Sequence, residues 1–142
     1  METNRMTIIR NNPQPRLSAS VAYGNLLFLS GQTPKSSEDD IVLQTREVLE
    51  KIDALLAAAG SDKRQILSAQ IWLKDIERDF VAFNDVWVQW MPEGQSPARA
   101  AVQAEMARPD ILVEIYFCHF LFLLLNVCYY SAMSLLRSPF VS

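Results

Sequence analysis

The chain has 142 residues, 50% of them apolar and 20% charged, a length and balance that suit one globular domain and exclude a largely disordered chain. Its 13 Lys and Arg against 16 Asp and Glu leave a net charge of −3, and no basic run interrupts that balance. A protein built to grip nucleic acid is therefore not expected.

In chain order, Thr7 to Arg10 is a short β-branched run closed by the turn-forming Asn11, Asn12 and Pro13. Ser18 to Tyr23 alternates loosely, Gly24-Asn25 turns the chain, and Leu26 to Leu29 is a dense apolar strand, so this part predicts a hairpin or meander. Ser30-Gly31-Gln32 ends that strand, and a loop follows through Ser37. Val48, Leu49, Ile52, Leu55 and Leu56 recur at three- and four-residue steps, which predicts a helix over 41–59 with Gly60 placed to end it. Leu67 to Leu73 is a further strand. Phe80, Phe83, Val86, Trp87 and Trp90 mark a second amphipathic helix, stopped by Pro92 and Gly94. Two more strands, Arg99 to Ala104 and Ile111 to Ile115, are joined around Arg108-Pro109-Asp110. This order predicts an α+β domain in which two helices cover one face of a mixed sheet. The strand–helix–strand units require some parallel pairing.

The common catalytic and cofactor signatures are absent: there is no P-loop and no GxGxxG. Ser-His-Asp and Cys-His sites need a histidine, and the lone His119 lies in an apolar run, where it reads as a tail residue with no catalytic part. With Cys118 and Cys128 it forms no metal-ligand spacing, so no metal is expected, and a reducing cytoplasm is the default setting. What remains is Ser96 to Val102, where Arg99 enters a strand that is otherwise small and apolar. A guanidinium oriented by a sheet presents a planar fork that matches a carboxylate. Glu114 follows on the next strand, and a hairpin between the two would face it into the same pocket to position a water. The residues alone leave other readings open: Arg99 as a surface ion-pair partner, Glu114 as a solvent-facing strand residue, Ser30-Gly31 as a plain turn, and Asn84 as a polar position on a helix face.

Several segments resemble one known family. Ser30-Gly31-Gln32-Thr33-Pro34 looks like the SGQ-x-P element of the RidA/YjgF family, and Ala57-Ala58-Ala59-Gly60-Ser61 resembles its AAG turn. Trp72-Leu73-Lys74-Asp75 with Asp79-Phe80 and Asn84, then Pro97-Ala98-Arg99 and Val113-Glu114-Ile115, are similar to three further elements in the same order. The Arg16-Leu17-Ser18 start is similar to the YoaB-like branch. The resemblance covers roughly residues 7–115.

It implies a chorismate-mutase-like fold, a barrel-like homotrimer with clefts between subunits, and hydrolysis of reactive 2-imino or enamine acids to 2-keto acids and ammonia without metal or organic cofactor. Carried over by position, Arg99 would bind the substrate carboxylate, Glu114 would orient or activate water, Ser30 and Gly31 would line the pocket, and Asn84 would support its wall. One departure stands out: the pocket tyrosine of the deaminase branch is replaced by Leu17, with Tyr23 nearby but out of register. The alternative to a deaminase is a non-catalytic trimer that binds small carboxylates in the same cleft as a sensor or scaffold.

The resemblance stops near Ile115, which divides the chain into a family-like domain over 1–115 and a different tail over 116–142. From Ile115 to Leu136 there is no charged residue. Tyr116 to Leu121 can complete a last strand, since sheets accept aromatic and apolar residues. The remainder reads as a non-homologous end, as in a defective variant, or as a membrane anchor or partner helix. The polar Met1 to Arg10 lacks the apolar run of a secretory signal.

Overall fold

The computed structural model describes residues 6–121. Nine elements follow in order: β1 (Ile8–Pro13), β2 (Ser18–Tyr23), β3 (Leu26–Gln32), α1 (Ile41–Ala58), a single 3-10 turn (Lys63–Gln65), β4 (Ile66–Leu73), α2 (Ile76–Trp90), β5 (Ala98–Gln103) and β6 (Val113–Phe120). The expected order of strands and helices is what forms, as an α+β mixed sheet with two helices packed on it.

Local sequence sets the boundaries. Gly24 takes φ 59° in the turn between β2 and β3. The Asp40 side chain accepts the Leu43 amide at 3.1 Å and starts α1. At its other end Gly60 takes φ 68°, the Gly60 amide donates to Ala57 O and the Ser61 amide to Leu56 O, which closes the helix in a Schellman motif. Asp75 caps α2 by accepting the Arg78 amide at 3.0 Å, so this helix begins at Ile76, a turn earlier than its aromatic stripe indicates.

The six strands lie in the order β1-β2-β3-β6-β4-β5. β4 and β5 are parallel, joined through α2, and the other neighbours are antiparallel. The expected hairpin of the last two strands does not form: β6 inserts between β3 and β4 and leaves β5 at the edge. The residues explain the difference. Alternate positions of β6, Val113, Ile115 and Phe117, are large, apolar and fully buried, which suits a central strand, whereas β5 is small and mostly exposed.

The helices cover one face only. Ile52, Leu56 and Phe83 meet Leu27, Leu29, Ile71, Leu73, Ile115 and Phe117 in the core, each side chain contributing about 1.5–3 kcal/mol by leaving water. His119 is not a tail residue: it lies fully buried on the same face of β6, opposite Leu27. The other face of the sheet carries the alternate residues, among them Phe28, Ser30, Trp72, Glu114, Tyr116 and Phe120, with no helix of the described residues over it. The stretch 122–142, where most of the expected tail falls, lies outside the described residues, as does Cys128.

Candidate active site

Arg99 sits near the start of β5, opposite Ala69 of β4. Ala69 is buried under the helices, so Arg99 points to the helix face. There α2 receives it. Its guanidinium carbon lies 5.2 Å from the Trp87 ring centre and 5.8 Å from that of Phe83, and its Nη2 donates to Asn84 Oδ1 at 2.8 Å. No carboxylate within reach pairs with it among the described residues. Partial burial pulls its pKa below the ordinary arginine value, with no acidic neighbour to oppose the shift. It remains a cation at any physiological pH. The reading of Arg99 as an ion-pair partner is thereby corrected, and the guanidinium keeps donors for an external anion.

Glu114 lies on the opposite face. Across the ladders it is level with Trp72 of β4, and its carboxylate rests directly against Gly31. A Cβ at position 31 would collide with Glu114 Oε1 and stand 3.2 Å from Cδ, so this close approach needs glycine. Burial raises the Glu114 pKa, with no neighbouring cation to counter it. Ser30 and Gly31 fall where the β3–β6 register shifts between Leu29 and Gln32, and that irregularity brings the backbone to the carboxylate. Ser30 Oγ donates to Ser18 O at 2.5 Å. Leu17, half-buried, immediately precedes that acceptor.

The five expected residues thus fall into two groups in one chain. Arg99 and Asn84 make the first, on the helix face at the β5 edge. Ser30, Gly31 and Glu114 make the second, on the uncovered face around the β3 irregularity. Because β4 separates β5 from β6, Arg99 and Glu114 do not share a pocket within one chain. Sequence reasoning missed the parts played by Phe83 and Trp87, which it treated as core positions of the second helix. Their spacing around Asn84, on one helix face, is the signal that they flank it. Among the described residues the ring nitrogens of His119 have no well-formed partner, and burial lowers its pKa to about 4 against a smaller upward pull from the Leu27 backbone.

Two helices on a six-stranded mixed sheet, with an arginine against aromatic rings at one edge and a carboxylate set against glycine on the open face, define a small α+β protein. Residues 8–118 match the family model described as Endoribonuclease L-PSP, and the chain belongs to that family, the RidA/YjgF family that its motifs resemble. It is 43% identical over 111 residues to a RutC family protein of Haemophilus influenzae, a match spanning 78% of this chain and 95% of the relative. The RutC family protein YoaB of Escherichia coli is 40% identical over 110 residues, with the same coverage of both chains. A protein named 3-aminoacrylate deaminase RutC, from Acinetobacter baylyi, is 36% identical over 97 residues, 64% of this chain and 75% of the relative. Among solved structures, a YjgF family member from Neisseria meningitidis superposes with a TM-score of 0.78 at 39% identity, covering 84% of this chain and 98% of the other.

Proposed function

We propose that this protein hydrolyses reactive 2-imino or enamine acids to 2-keto acids and ammonia, in a site completed between copies of the chain in a homotrimer. The observation that carries the reading is the setting of Arg99: exposed at the sheet edge, held there by Asn84 and two aromatic rings, and without a carboxylate partner among the described residues. A guanidinium fixed in place with donors left over matches a planar carboxylate brought by a substrate. The relative named as an aminoacrylate deaminase supports the reaction class.

The chemistry follows from the two half-sites. Arg99 accepts the carboxylate of the iminium form, a fork on a planar anion. Ser30 has its hydroxyl proton committed to Ser18 O, so towards a ligand Oγ is an acceptor, suited to an iminium N–H. Glu114, with a pKa raised by burial, is a stronger base than an exposed carboxylate. It takes a proton from water as the oxygen attacks the C=N carbon and forms a carbinolamine. The same proton then goes to the amine, the C–N bond breaks to release ammonia, and the hydroxyl proton passes through Glu114 to that ammonia, so the products are keto acid and ammonium. The electrophile is already activated, so positioning and one base suffice without metal.

Glu114 and Arg99 meet only if a second copy lays its β5 edge beside the Ser30–Glu114 region of the first. The uncovered face supports such assembly, because Ile8, Tyr23 and Val102 are exposed there and Phe28, Trp72, Tyr116 and Phe120 only half-covered. The separation of the half-sites also favours a second reading, a trimer that binds small carboxylates through Arg99 without turnover. The experiment generates an imine from a small amino acid with an amino-acid oxidase in the presence of a competing nucleophilic trap. Faster keto-acid release by the wild-type chain, lost in Arg99→Ala, is the expected result. Binding of 2-oxobutanoate without acceleration by a folded trimer would favour the binding reading instead.

A further inference from the structure

We infer that Trp87, backed by Phe83, is a positioning residue: its ring is the platform that holds the Arg99 guanidinium flat and aims its remaining donors at the ligand carboxylate. The inference rests on the carboxylate-binding reading of Arg99 and names the part that makes it work.

The geometry is specific to this side chain. A guanidinium has no stereochemical reason to stay fixed at a sheet edge, where a long side chain retains much rotamer freedom. Here it is held from two directions. The Trp87 and Phe83 rings lie at 5.2 and 5.8 Å from its central carbon, within the range in which a ring face attracts a cation. Asn84 takes one Nη2 donor in hydrogen-bond geometry. These three residues lie within five positions of α2, so one rigid helix supplies the whole cradle.

The platform is itself anchored. Trp87 is nearly buried and stacks on Phe117 of β6, with ring centres 6.2 Å apart and planes 8° from parallel. Trp90 packs against both rings, 5.5 Å from Trp87 and 6.3 Å from Phe117, and the Trp90 indole N–H donates to Asp53 Oδ2 at 2.9 Å, tying the array to α1. A chain of contacts therefore runs from the two helices and the central strand to the guanidinium plane. A lysine at position 99 would lose both the broad delocalised cation that meets the rings and the fork.

The ring acts by pre-orienting a charge, so weakening its π-face should weaken ligand binding without any change of shape. Site-specific replacement of Trp87 by mono-, di- and trifluorinated tryptophan in the full chain keeps the indole outline and withdraws electron density step by step. The probe is 2-oxobutanoate, followed by calorimetry, together with the Arg99 Nε–H resonance and its exchange rate in the ligand-free protein. The expected result is a stepwise loss of affinity, about two- to thirtyfold across the series, with faster Arg99 Nε–H exchange. In the imine assay KM rises while kcat changes little. Trp87→Phe retains most of the affinity and Trp87→Leu loses it.

Affinity and exchange that stay flat across the fluorinated series would overturn the proposal, as would tighter binding on fluorination, which would mean that the ring competes with the ligand. If the wild-type chain binds no 2-oxobutanoate and hydrolyses no imine, the carboxylate-binding reading fails and the aiming role fails with it. The exchange data would then report only whether the ring holds the guanidinium, which separates the two failures.

Discussion

Exposed arginines commonly spread their charge between water and whichever carboxylate drifts near, at little gain in stability. Arg99, also exposed, instead faces aromatic rings and an amide oxygen with no acid paired to it among the described residues, and in the proposed reaction its fork is left for a planar anion brought from outside. In the imine assay Arg99→Ala should lower kcat/KM by about 100-fold or more, and Arg99→Lys should recover only a small part, because an ammonium cannot reproduce the fork. Recovery to near wild type in the lysine variant would contradict bidentate recognition. Gly31 gives a second test. Gly31→Ala forces the Glu114 carboxylate aside, so activity should fall about tenfold or more while 2-oxobutanoate binding and the thermal midpoint change little. The motif residues Ser30, Gly31, Asn84, Arg99 and Glu114 were legible because their spacing matches a known family. Phe83 and Trp87 were not, since an apolar residue on a helix face looks the same in sequence whether it fills a core or carries a guanidinium.

At the scale of elements, two buried polar side chains do contrasting work. Gln44 of α1, fully buried, donates to Glu38 O and Asp110 O and accepts the Leu112 amide, each at 2.8 Å, and so pins the segment entering β6 to the helix. Gln44→Leu leaves those groups unpaired, and chemical denaturation should show a loss of about 2–4 kcal/mol; an unchanged midpoint would contradict the assigned bonds. His119 of β6 is held neutral, its pKa lowered to about 4 from 6.5. Its folded-state pKa lies below its unfolded value, so the unfolded chain binds the proton first. The associated stability is fully present above pH 6.5 and is lost as pH falls towards 4. Between pH 7 and pH 5 the loss should be about 2 kcal/mol, and His119→Leu should remove most of that slope in urea titrations. The same slope in the variant would place the acid sensitivity elsewhere.

Element order was legible from periodicity, from the Gly24 and Gly60 turns and from Pro92. The pairing of the last two strands was not, because a short connection between Gln103 and Val113 reads as a hairpin. Only the burial demand of Val113, Ile115 and Phe117 shows that β6 belongs in the centre. Alternation along the strands puts Arg99, level with Ala69, and Glu114, level with Trp72, on opposite faces.

For the molecule as a whole, the dominant feature is that the helices of the described residues cover one side of the sheet only. A sheet bearing Phe28, Trp72, Tyr116 and Phe120 on its uncovered side is expected to bury that side against further copies of itself. Sedimentation equilibrium should therefore give a species of three times the 16.1 kDa chain mass, and a monomer at micromolar concentration would contradict the shared site. No helix among the described residues is long and apolar enough to cross a membrane.

The central claim, a deaminase whose site is assembled from two copies, is tested most directly by mixing chains. Arg99→Ala and Glu114→Gln each remove one half-site, and each alone should lose about 100-fold or more of the imine hydrolysis rate. After unfolding and refolding the two variants together in equal amounts, mixed trimers should contain intact sites and recover about a quarter of wild-type activity. Wild-type trimers that do not accelerate keto-acid release, or mixed trimers of confirmed composition that recover nothing, would contradict the account.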